Sequence, residues 1–81
     1  MEELRRKILD LLVAKHRYAK NDLAEAEDIA NELNIGVGYV NEELEKMEYL
    51  GLVKVYKTFG PKYTAQITPK GLLAHEQIGK G

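Results

Sequence analysis

Residues 28–53 read DIANELNIGVGYVNEELEKMEYLGLV, and the spacing of apolar side chains within them decides the fold. Ile29, Ala30 and Leu33 recur at helical intervals, and so do Val40, Leu44 and Met47. The stretch therefore predicts two helices separated only by Asn34, Ile35 and Gly36. Asn34 suits the left-handed position that closes a helix, and Gly51 ends the second helix just after Leu50. So short a connection makes the helices cross. Small Ala30 allows close approach and Ile35 fills the corner.

Toward the N-terminus, Leu23 and Ala26 extend the first of these helices backward, with Asp22 as its expected N-cap. Before it, Leu4, Ile8, Leu11 and Leu12 predict an amphipathic helix over residues 2–17. Leu9, Val13 and His16 form a second stripe on that helix, so something must cover it on two sides. Toward the C-terminus the period changes to two. Val53 and Val55 alternate with Lys54 and Tyr56, and Tyr63, Ala65 and Ile67 alternate with Thr64 and Gln66. Thr58 to Lys62, with Gly60 and Pro61, carry the signal of a hairpin loop. Thr68 before Pro69 places a capping hydroxyl ahead of a helix-initiating proline, opening a last helix with Leu72, Leu73 and Ile78. The expected order is α-α-α-β-β-α, an α+β fold with a two-stranded antiparallel hairpin, in one domain spanning residues 1–81.

Apolar residues make up 44% of the 81, enough for one modest core and little more. The chain has no cysteine, which excludes disulfides, thiolate zinc sites and cysteine nucleophiles. No apolar run is long enough for a membrane span or a signal peptide, so a cytoplasmic location is the expectation. His16 and His75 have no second ligand at metal-binding spacing. Glu42, Glu43, Glu45 and Glu48 resemble paired catalytic carboxylates only in number, because an exposed helix offers no pocket to raise a pKa. Gly36-Val37-Gly38 follows a helix and lacks the lysine and hydroxyl of a phosphate cradle. Neither an enzyme, a metal site nor a cofactor is expected.

The segments DIANELNI and GVGYVNEELEKMEYLGLV, taken in order, resemble the helix-turn-helix core of the winged-helix regulators of bacteria and archaea, and QITPKG at 66–71 resembles the LT-x-x-G with which such domains open their final helix. The resemblance covers most of the chain. It implies a winged helix that binds double-stranded DNA as a transcriptional regulator, with a helix-turn-helix over about 23–50 and a wing over 52–68. It also implies that Val37, Gly38, Tyr39 and Asn41, with Glu42, face base edges from the third helix. Helical geometry, with Val40, Leu44 and Met47 inward, turns Gly38, Glu42, Glu45, Lys46 and Tyr49 outward.

Charge complicates that expectation. Net charge is −1, yet residues 22–48 sum to −8 against +3 for residues 1–21 and +4 for residues 49–81. A carboxylate about 4 Å from a phosphate costs about 1 kcal/mol even in water-like dielectric. Phosphate contacts are therefore expected from Lys54, Lys57 and Lys62 on the wing, interleaved with Tyr56 and Phe59, and from Arg5 and Arg6 on the first helix. The same acidity supports an alternative, a winged helix whose third helix docks on a basic protein partner. A homodimer is expected in the DNA-binding case, because one recognition helix buries little and palindromic sites suit two-fold pairs. Leu9, Val13, Leu72, Leu73 and Ile78 are its nominated interface.

Overall fold

A computed structural model describes residues 2–59 and 62–80, and its side chains over 3–57 and 62–78. Four helices and three strands follow one another as α1 (Glu2–Tyr18), β1 (Leu23–Glu25), α2 (Ala26–Leu33), α3 (Val37–Tyr49), β2 (Val53–Phe59), β3 (Lys62–Ile67) and α4 (Pro69–Lys80). The strands make one antiparallel sheet in the order β1-β3-β2. This is a small α+β domain, and its order α-β-α-α-β-β-α is consistent with a winged-helix-like layout.

The sheet has three strands where two were expected. Leu23, Ala24 and Glu25 pair with Gln66, Ala65 and Thr64 instead of opening α2. Three residues are too few for a helical and a strand period to be told apart. What decides is the open edge of β3, which satisfies the backbone groups of this segment while Ala24 is buried and its neighbours face water. The N-cap of α2 is consequently Glu25, in extended conformation and without a side-chain cap bond, and not Asp22. Glu27 and Asp28 in the first turn of α2 complement its dipole.

Two left-handed residues bracket α3. Asn34 (φ 57°, ψ 47°) closes α2, and the Ile35 amide donates to the Ala30 carbonyl at 3.0 Å. Gly51 (φ 80°) follows α3, and the Leu52 amide donates to the Met47 carbonyl at 2.9 Å. Both ends thus use the same six-to-one hydrogen bond, with an apolar side chain just past the turn.

One core joins all these elements. Ile8, Leu12, Val40, Leu44 and Met47 are fully enclosed, as the helical spacing anticipates, and Ala65 and Ile67 are buried from β3. Leu9 and Val13 are also buried, at 1% and 3% exposure, because α1 packs against α2 and α3 on one hand and β1, β3 and α4 on the other. Their stripe is covered within the chain and cannot meet a second copy, which corrects their place in the nominated interface. Leu72 is half-buried against the same core, while Leu73 and Ile78 stay exposed. His75 Nε2 lies 2.8 Å from Asp10 Oδ1 and ties α4 to α1.

The junction into α4 is built around Thr68. Its hydroxyl donates to the Gly51 carbonyl at 2.6 Å and accepts from the Gly71 amide at 3.0 Å, as a capping residue before Pro69 should. Its own amide donates to the Leu52 carbonyl at 3.1 Å, which locks the exit of α3 to the entry of α4. Among the described residues, no helix is long and apolar enough to cross a membrane.

Candidate functional site

The outward face of α3 and the adjoining β2–β3 hairpin form the candidate site. Gly38, Glu42, Glu45, Lys46 and Tyr49 are all exposed, the face anticipated from helical geometry. At the N-terminal turn Gly36 is extended and makes no side-chain cap, and no carboxylate lies in the first turn. That turn presents backbone N–H groups, open space at Gly38 and the Tyr39 ring at 69% exposure. Val37 and Asn41 are half-buried flanks rather than exposed tips.

The acidic row on α3 is not a uniform solvated face. Glu43 is buried at 3% exposure, and its Oε2 accepts from Arg5 Nε at 2.8 Å. Glu45 pairs with Lys57 at 2.7 Å, and Glu42 lies 3.8 Å from Lys46 one helical turn on. Glu48 Oε2 accepts from the Val55 amide at 3.0 Å on the edge of β2 away from β3. Glu43 thus ties α1 to α3 and Glu45 and Glu48 tie the hairpin to it, while Glu42 pairs within the helix. The spacing did carry a signal for Glu43, which falls beside Leu44 and three residues after Val40, on the inward side of α3.

The cations divide in the same way. Arg5 is committed to Glu43 and half-buried, so it is not the open phosphate contact expected of it, whereas Arg6 is exposed with Asp10 3.9 Å away on the same helix. Lys57 shares the core-facing side of β2 with Val53 and Val55, just beyond the core. There it meets Glu45, which raises its pKa, and its Nζ sits 5.2 Å from the Tyr63 ring centre. Lys54 and Tyr56 occupy the opposite, solvent-facing side of the sheet. Lys54 and Lys62 are exposed and make no ion pair among the described residues. The Phe59 side chain lies outside those described.

A second polar cluster was not anticipated. Tyr56 donates its hydroxyl to Gln66 Oε1 at 3.2 Å, Gln66 Nε2 donates to Asp22 Oδ1 at 2.9 Å, and His16 Nδ1 is 3.3 Å from Asp22 Oδ2. The Gln66 hydrogen bond, and then that from His16, hold the Asp22 carboxyl below its ordinary value of 3.8. A depressed carboxylate contributes stability that is present above its unfolded pKa and lost as pH falls through the folded one. Asp22→Asn is therefore expected to destabilise the domain more at pH 7 than in acid well below 3.8. Urea denaturation at the two pH values tests this, and equal losses at both would remove the ionic account.

Among the described residues no group of three or more His, Asp or Glu side chains could hold a metal ion. No protein-family model matches the chain, and no curated protein matches it.

Proposed function

We propose that the chain is a winged helix-turn-helix domain that binds double-stranded DNA as a transcriptional regulator. The observation that carries this reading is the internal neutralisation of α3. Its carboxylates face Arg5, Lys46, Lys57 and the Val55 amide, while its first turn keeps open N–H groups and no acid. The repulsion that the −8 segment threatens is thereby reduced where a helix would enter the groove. Thirteen residues make α3 about 20 Å long, and the major groove, about 12 Å wide, admits a helix of that kind. Gly38 and Tyr39 then approach the bases, and Lys54 and Lys62 approach phosphates.

Lys54→Ala with Lys62→Ala is expected to weaken binding to every duplex sequence and to lower the salt slope by about one for each phosphate left without its lysine. Anisotropy titrations of a mixed-sequence duplex over a salt series measure both quantities. Unchanged affinity and slope would remove the hairpin as an anchor.

A protein partner is the second reading, supported by Tyr49 and Leu50, which lie exposed at 92% and 41% beside Glu42 and Glu45. If the parent binds no duplex at low salt, where electrostatic attraction is strongest, this reading takes the place of the first.

A further inference from the structure

We propose that the C-terminal end of α1, residues 15–20 (KHRYAK), is a second contact for a nucleic-acid phosphate backbone, remote from α3. Five of the chain's cations, Arg5, Arg6, Lys7, Lys46 and Lys57, each face a carboxylate. Lys15, Arg17 and Lys20 do not, among the described residues. The other unpaired cations so described, Lys54, Lys62 and Lys70, stand singly in the sequence. Among the described residues, only here do three unpaired cations fall within six residues, and Tyr18, 84% exposed, stands among them.

The α1 dipole accounts for cations in its last turn, where Lys15, His16 and Arg17 lie. It does not account for Lys20, which follows the helix, or for an aromatic ring left almost wholly in water. Arg17 and Lys20, both exposed beside an exposed ring, with the half-buried Lys15 near them, match what nucleic acid recognises: charge for the phosphates and a face on which a base or sugar can rest. His16 is held toward Asp22, which turns it away from this work.

The position separates this surface from the candidate site. Leu4 and Lys7, near the start of α1, line a groove with Leu33, Ile35 and Tyr39 at the α2–α3 corner. Eleven residues of helical rise carry Tyr18, at the other end of α1, about 17 Å along the axis from Lys7. A duplex seated on the first turn of α3 thus leaves residues 15–20 to meet a more distant stretch of backbone or a second strand.

The inference rests on the chain's meeting nucleic acid, but not on α3 and the hairpin being where it does so. The test is a titration of the isotope-labelled full chain with a mixed-sequence 16-base-pair duplex, followed through backbone amide shifts. Shifts at residues 15–21 together with α3 and the hairpin are expected. Shifts at α3 and the hairpin alone would overturn this inference and leave the proposed function standing. Shifts at residues 15–21 alone would support the inference and overturn the groove reading, and no shifts at all would overturn both. Arg17→Ala with Lys20→Ala, both exposed and structurally undemanding, should lower the salt slope by about two. An unchanged slope in that variant would overturn the proposed phosphate contact whatever the parent binds.

Discussion

Gly71→Ala is expected to lower the unfolding temperature by about 12 °C or more. A Cβ at this buried position would sit against the Leu52 carbonyl oxygen and 2.8 Å from Ile67 Cγ1. The carbonyl cannot turn aside. It already accepts from the Thr68 amide, and Thr68 also binds Gly51 and caps α4 at Gly71. Relief would require α4 to move off the α3 exit, at a cost of about 3 kcal/mol or more, out of about 5–15 kcal/mol for a whole domain. Gly38→Ala is the internal control. Nothing lies within 4 Å of a Cβ there, so alanine in the helix should stabilise by up to about 1 kcal/mol. Thermal unfolding followed by circular dichroism compares the two. If Gly71→Ala melts within a few degrees of the parent, the close approach of α4 to Leu52 is wrong.

The second large effect is expected at the Arg5–Glu43 pair. Arg5→Ala deprives a buried carboxylate of the guanidinium that neutralises it, which typically costs about 3–5 kcal/mol. The Arg5 side chain keeps 28% of its surface in water, so a loss near the lower figure is expected. Replacing both partners by apolar residues, Arg5→Met with Glu43→Leu, should recover most of that loss, because the desolvation penalty disappears with the charges. Denaturant unfolding of the parent, Arg5→Met, Glu43→Leu and the double variant forms a thermodynamic cycle, with Arg5→Ala measured beside it. Additive losses would mean that the 2.8 Å contact carries no coupling.

The helix-turn-helix stretch was legible because its periods are long and its stops are chemical. Asn34 and Gly51 could be assigned to left-handed positions from residue type, and Thr68-Pro69 to a cap, since local backbone sterics decide them. β1 was not legible. Leu23–Glu25 is held by pairing with residues about forty positions later, and no local period records that. Leu9 and Val13 looked like an outer stripe for a related reason, because the strands and the last helix that cover them come late in the chain. The candidate site suffered most from this. Arg5 and Glu43 lie 38 residues apart and Lys57 and Glu45 lie 12 apart, so counting charges along the sequence could not reveal that they neutralise one another. Lys54 and Lys62 emerge as the hairpin's open cations only once those partnerships are known.

An antiparallel sheet with two open edges invites strand addition by neighbouring molecules, the first step toward fibrils. Here one edge is β1, only three residues long and carrying the charge of Glu25, too short to template much growth. The other is β2, where the Val55 amide that an incoming strand would seek is already bonded to Glu48. A carboxylate supplied from α3 thus acts as a gatekeeper, and one of the residues that make α3 acidic also occupies a pairing site on the edge of the sheet.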